Sequence, residues 1–251
     1  MNPVLRVTDV EFGYHPGKPV LRDISFEVSP GEVFIILGAN GCGKSTLMRT
    51  ILGECKPTSG RITVGGDDVA SLGVKQLAQR LAMVFQDHSA PFPFTVLDVV
   101  KMGRTPHLPP FASPTKKDNV ICLEALETVG LKDLAFEPYT QLSGGERQLV
   151  LIARALAQRT GVVLMDEPTS HLDYRNATTV ISIHRAHPCP RAGQGRRDDH
   201  APAGSGVLLS IARRTDEERP VLRIGPERGC ADQRKPQRGL WHGYAGPDRL
   251  R

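Results

Sequence analysis

Apolar and polar residues alternate from Val4 to Val10 and again from Ile24 to Val28, the period-two pattern of strands with one buried face. Turn chemistry follows each run, at His15-Pro16-Gly17 and Ser29-Pro30-Gly31, so the first thirty or so residues predict an N-terminal antiparallel layer. The pattern then changes. Val33 to Leu37 is a continuous apolar run, as expected of a strand buried on both faces of a parallel sheet, and Ser45 to Leu52 reads as a helix. Arg61 to Val64 predicts another strand closed by a Gly65-Gly66-Asp67 turn, and Leu81 to Phe85 a further one that ends on Gln86. Pro91, Pro93, Pro106, Pro109 and Pro110 interrupt the next stretch, and Ser113-Pro114 predicts the start of a helix running to Gly130 by its cap residue and first-turn proline. Ser143-Gly-Gly-Glu146 is a capping box, and Leu149, Ile152, Ala153 and Leu156 behind it recur at helical spacing. Val162 to Met165 is again a buried strand, delivering Asp166-Glu167 at its end. The expectation is an α/β protein with a helical subdomain at about residues 87–158.

Between the Val33–Leu37 strand and the helix lies Gly38-Ala39-Asn40-Gly41-Cys42-Gly43-Lys44-Ser45-Thr46, which fits G-x-x-x-x-G-K-S/T in the strand-then-helix context that motif needs. Its glycines let successive N–H groups turn inward, and the helix start adds partial positive charge. Lys44 is expected to reach the terminal phosphates of a nucleotide and Ser45 to offer its hydroxyl to Mg²⁺. Cys42 lies within this loop, where thiol reagents are expected to block it.

Composition narrows the function classes. The chain has 251 residues, 39% of them hydrophobic and 24% charged, ordinary values for a globular domain. No apolar run approaches the roughly 20 residues of a membrane-spanning helix, and Met1-Asn2-Pro3-Val4 does not begin a signal peptide, so cytoplasmic residence is the expectation. The five cysteines show no C-x-x-C spacing, which reads as reduced thiols rather than a metal site or disulfide framework. Net charge is +5, but 14 of the 32 Lys and Arg and only 8 of the 27 Asp and Glu follow Ile183. The excess thus belongs to a C-terminal stretch without a basic helix or aromatic platform, and no nucleic-acid partner is expected.

Taken together, these motifs resemble the ATPase subunit of an ATP-binding-cassette (ABC) transporter. Tyr14 matches the aromatic that stacks on adenine, Gly38 to Thr46 the phosphate loop, Gln86 the Q-loop, Leu142-Ser143-Gly144-Gly145-Glu146 the signature, and Val162 to Glu167 the Walker B strand. Ser170-His171-Leu172-Asp173 matches the D-loop. The resemblance implies a P-loop NTPase fold with an N-terminal antiparallel β layer, a mostly parallel core sheet and a helical subdomain. It implies ATP and Mg²⁺ as ligands. Lys44, Ser45, Thr46, Gly38, Ala39, Asn40, Gly41, Cys42 and Gly43 would hold the phosphates and Ser45, Gln86 and Asp166 the metal, while Glu167, Lys44 and Gln86 would be the catalytic residues, with Glu167 polarising the attacking water. Ser143, Gly144 and Gly145 would serve the nucleotide of a second subunit in a head-to-tail dimer. Membrane permease subunits would be direct partners, on the inner face of the cell membrane, and a substrate-binding protein an indirect one. Within the family, Pro91 to Val96, Met102 to Leu108 and Ser170 to Asn176 are similar to importers of iron-siderophore complexes, haem or cobalamin. A non-transport ATPase of the superfamily and a nucleotide-binding module that no longer hydrolyses stay open.

From about residue 184 onward the resemblance ends. The family would continue with a helix, a strand and a switch histidine, whereas Cys189 to His200 is rich in Arg, Gly and Pro with no helix or strand period. Read one base out of frame with suitable synonymous codons, Asp198 to Pro202 becomes Met-Thr-Thr-His-Pro, so the segment looks frameshifted. The expectation is an ABC ATP-binding domain over 1–183 and an aberrant, disordered tail over 184–251, with His200 not assigned the switch role and the core sheet left short of strands.

Overall fold

A computed structural model describes residues 2–38, 41–85, 93–166, 207–213 and 223–226. The alternating N-terminal runs form the antiparallel layer. Strand β1 (Leu5–Phe12) pairs with β2 (Leu21–Val28), Leu5 opposite Val28 and Val7 opposite Phe26. On its other side β1 pairs with β4 (Ser59–Val64), and the short β5 (Asp67–Asp68) completes the order β2-β1-β4-β5. Leu5, Val7, Val10, Leu21 and Val28 are buried, as the alternation requires.

The second sheet is the mostly parallel one. It consists of β3 (Val33–Gly38), β6 (Leu81–Val84), β7 (Val162–Asp166), β8 (Val207–Arg213) and β9 (Arg223–Pro226), in the order β6-β7-β8-β3-β9. The first four run parallel and β9 antiparallel to β3. Here the sequence reading is corrected. No strand was expected after Ile183, yet β8 fills the slot between β7 and β3, and β9 covers the other side of β3. The continuous apolar run Val207-Leu208-Leu209, with Ile211 and Ala212, suits a central parallel strand whose partners on both sides satisfy its backbone. His200 and the D-loop match at residues 170–173 lie outside the described residues.

Helices α1 (Lys44–Ile51) and α2 (Val74–Ala78) flank the strands, while α3 (Val96–Lys101), α4 (Lys116–Thr128) and α5 (Gly144–Ala157) form the helical layer. Two apolar clusters result. One joins β1 to β4 with Leu47, Met48 and Ile51 of α1. The other joins α3, α4 and α5 through Val96, Val99, Leu126, Leu149 and Ile152, with interior residues whose truncation costs roughly 2–5 kcal/mol each.

Helix α4 begins later than Ser113-Pro114 suggested. Its cap is Thr115, whose hydroxyl accepts from the Asp118 N–H at 3.3 Å while the Asp118 carboxylate accepts from the Thr115 N–H at 2.9 Å. A complete capping box outcompetes a serine two residues upstream. Asp118 also accepts from Arg104 Nε at 2.9 Å, and Arg104 Nη1 donates to the Ala157 carbonyl at 2.8 Å. That buried pair ties the start of α4 to the end of α5. Burial alone would raise the Asp118 pKa, but the Thr115 hydrogen bonds and the Arg104 guanidinium outweigh it and bring it to about 2. Gly103, just before Arg104 in the chain, lies so close to α5 that a Cβ there would clash with the Arg154 carbonyl oxygen.

Candidate functional site

Helix α1 starts without a side-chain cap. Its N-cap is Gly43 at φ 100°, it has no acidic residue in its first turn, and its first residue is Lys44. Such a start leaves backbone donors and a positive helix end with no acceptor from a capping side chain. Gly43 is required twice over, by its left-handed backbone and because a Cβ would lie 3.2 Å from Leu21 and 3.3 Å from Val20. Lys44 is only 7% exposed, and its ammonium donates to the Gly38 carbonyl at 2.6 Å, folded back across the loop. The Lys44 ammonium and the backbone donors at the start of α1 are thus drawn to the same loop, a donor set that fits a phosphate chain. Ser45 is exposed at the helix start, and Thr46 is buried beside Tyr14, with Oη and Oγ1 3.4 Å apart. The Tyr14 ring packs edge-on against Phe12 at 5.0 Å and is 52% exposed. The structure therefore brings together Tyr14, Gly38, Gly41, Cys42, Gly43, Lys44, Ser45 and Thr46.

Asp166 closes β7, opposite Ile211 of β8, and Gly38 closes β3, opposite Arg213 of β8. Both ends thus open on the same edge of the sheet, about two strand spacings or 10 Å apart, where open α/β sheets bind ligands. No cluster of three or more His, Cys, Asp or Glu able to hold a metal occurs among the described residues. One carboxylate and one hydroxyl, Asp166 and Ser45, suit Mg²⁺, which keeps waters and takes substrate phosphate oxygens for the rest. Ala39, Asn40, Gln86 and Glu167 lie outside the described residues.

Ser143, Gly144 and Gly145 sit elsewhere. They begin α5, which packs on the helical cluster rather than on the cluster holding α1. Ser143 is a full cap. Its hydroxyl donates to Glu146 at 2.7 Å, its N–H donates to the same carboxylate at 2.8 Å, and these bonds hold the Glu146 pKa below the ordinary value. What the sequence reading missed is the pair of strands that flank the end of β3, where the phosphate loop departs: position 213 of β8 is in register with Gly38 and position 223 of β9 with Leu37. The signal was the apolar run Val207 to Ala212 ending in arginine.

A glycine-wrapped loop between a central parallel strand and an uncapped helix, with a carboxylate at the end of a nearby strand, defines a P-loop nucleotide-binding α/β protein. The chain belongs to the ABC transporter family, whose model matches residues 21–170. It is 39% identical over 183 residues to the molybdate import ATP-binding protein MolC of Haemophilus influenzae, covering 73% of this chain and 67% of that protein. It is 42% identical over 177 residues to the cobalamin import ATP-binding protein BtuD of Halobacterium salinarum, covering 70% of this chain and 43% of that one. Among solved structures, cbiO1 of Clostridium perfringens, part of the cbiONQ ABC transporter complex, superposes with a TM-score of 0.68 at 26% identity, over 84% of this chain and 79% of that one. No helix among the described residues is long and apolar enough to cross a membrane.

Proposed function

We propose that this chain is the ATP-binding and hydrolysing subunit of an ABC importer, acting on the inner face of the cell membrane. The observation that carries the reading is the uncapped start of α1 with the buried Lys44 ammonium laid over Gly38. Gly38, Ala39, Asn40, Gly41, Cys42, Gly43, Lys44, Ser45 and Thr46 hold the phosphates, and Tyr14 stacks on the adenine. Ser45, Gln86 and Asp166 hold Mg²⁺, which supplies charge neutralisation on the phosphate oxygens. Glu167 accepts a proton from the attacking water as the water oxygen bonds to the terminal phosphorus and the bond from that phosphorus to the bridging oxygen breaks, leaving ADP and inorganic phosphate.

Two copies of the chain act together. Ser143, Gly144 and Gly145 reach the nucleotide of the opposite copy in a head-to-tail pair, a reading supported by the separate clusters that carry α1 and α5. The direct membrane partner is a permease segment seated in a cavity of about 780 Å³ whose lining includes Leu72, Val74, Phe85, Met102 and Pro106. Val74 is 90% exposed and Phe85, next to Gln86, is 47% exposed, apolar anchors in a lining that also carries Lys56, Arg61 and Arg154, a mixture suited to an amphipathic helix from a membrane protein. The cargo class is an iron-siderophore complex, haem or cobalamin, supported by the likeness to the cobalamin import protein.

The test is turnover with a paired binding measurement. The wild-type chain hydrolyses MgATP when assembled with its permease, and Glu167→Gln binds MgATP with unchanged affinity but loses at least about 100-fold in turnover. Unchanged hydrolysis in that variant rules out Glu167 as the base.

A further inference from the structure

The cavity walled by α2, the Met102–His107 segment and the end of α5 carries charge as well as apolar surface. Its two carboxylates are already engaged. Asp68 takes Arg61 at 3.2 Å and the Ala70 N–H at 2.9 Å, and Glu54 faces Arg49 at 3.9 Å. Two cations of the lining remain, and they differ in exposure: Lys56 stands in water, whereas Arg154 of α5 is half-buried. Among the described residues no carboxylate, carbonyl or hydroxyl lies within ion-pair or hydrogen-bond distance of the Arg154 guanidinium. Its neighbour across the helix contact is settled quite differently, since Arg104 has the Asp118 carboxylate at 2.9 Å and the Ala157 carbonyl at 2.8 Å. The Arg154 stem is held in place by packing, for a Cβ on Gly103 would stand 3.3 Å from its Cγ. Burial pushes the Arg154 pKa below its ordinary value. The group that opposes this shift is the Tyr139 phenol, whose own pKa burial raises, so it supplies no counter-charge at neutral pH. A guanidinium withdrawn from water without an anion is a cost that the free chain carries until a partner supplies one.

We infer that the Arg154 guanidinium is the charge-reading contact of this cavity, pairing with an Asp or Glu carboxylate carried by the amphipathic permease helix that fills it. This rests on the permease reading of the cavity above and adds the chemistry of the partner's face: apolar side chains against Phe85 and Met102, and one carboxylate where the helix meets Arg154. Such a pair selects the correct partner and register, because a helix with a neutral or basic residue at that position leaves the guanidinium buried and unpaired.

The experiment measures assembly of the full chain with its permease in a charge-exchange series. Arg154→Met keeps the stem and removes the charge, and is expected to weaken assembly by about tenfold, the loss of one charge-assisted contact. Arg154→Glu weakens it further, and changing each Asp and Glu of the permease's cytoplasmic segments to Lys in turn recovers assembly with Arg154→Glu at one position alone. That same Lys weakens assembly with the wild-type chain. Because the free chain has no ion pair to lose, Arg154→Met leaves its denaturant midpoint unchanged or higher, and retained MgATP binding shows that both variants are folded. Wild-type assembly of Arg154→Met, failure of every Lys change to rescue Arg154→Glu, or a lowered midpoint in Arg154→Met overturns the assignment. In the first of these cases octanoate that shifts the Arg154 Nε–H resonance of the ¹⁵N-labelled chain names a small anionic amphiphile as the occupant instead. Val74→Asp and Met102→Asp separate this failure from that of the cavity reading: if they abolish assembly the permease still docks there, and if they assemble like the wild type both readings are overturned.

Discussion

The starts of α1 and α5 are both helix N-termini with glycine at or beside the cap, yet they are finished in opposite ways. The α1 start has no capping side chain, no acid in its first turn and a buried lysine as its first residue. The α5 start is closed by Ser143 and Glu146, so its positive end already faces a carboxylate of its own chain. The contrast teaches that glycine content does not make an anion site; what remains unsatisfied does. It also sets an order of events for the proposed dimer. The α1 end can take phosphate within one chain, whereas Ser143 has a single hydroxyl proton, now given to Glu146, and must redirect it to meet a phosphate from outside.

The largest expected effect comes from breaking what holds the capped helix in place. Asp118→Ala leaves Arg104 buried without its carboxylate, and a loss of about 3–5 kcal/mol in denaturant unfolding is expected. The acid response gives the sign independently. With a folded pKa of about 2 against an ordinary 3.8, Asp118 contributes stability above about pH 4 that is lost as pH falls towards 2, and the variant should lack that part of the acid sensitivity. Lys44→Ala comes next. It removes the cation from the uncapped start, and calorimetry should show MgATP affinity reduced by about 100-fold or more, the scale of two charge-assisted hydrogen bonds, with the fold intact. Ser143→Ala is the smallest in stability, about 1 kcal/mol for a lost cap. It should leave MgATP affinity of the isolated chain unchanged while abolishing turnover that depends on pairing of two chains.

How much of this was legible in the sequence depends on the range of the interaction. The phosphate loop was readable because its glycines, lysine and serine are contiguous, and the Ser143 cap because a capping box spans four residues. Where two local signals competed, the sequence alone chose wrongly: Ser113-Pro114 looked like the start of α4, but Thr115 gains two reciprocal bonds with Asp118. The capping box of Thr95 and Asp98 that starts α3 was hidden among prolines. The strands β8 and β9 were missed altogether, since their stability comes from pairing with β3 and β7 across long stretches of chain, and the Arg, Gly and Pro around them mask a short apolar run.

The most direct test of the central claim is amide chemical-shift mapping of the ¹⁵N-labelled chain, kept dilute enough to remain single, during titration with MgATP. The N–H resonances of Gly41, Gly43, Lys44 and Ser45 should move strongly, and those of Gly144, Gly145 and Glu146 should stay in place. Shifts centred on Gly144 and Gly145, with the Gly41 to Ser45 amides unmoved, would contradict the account.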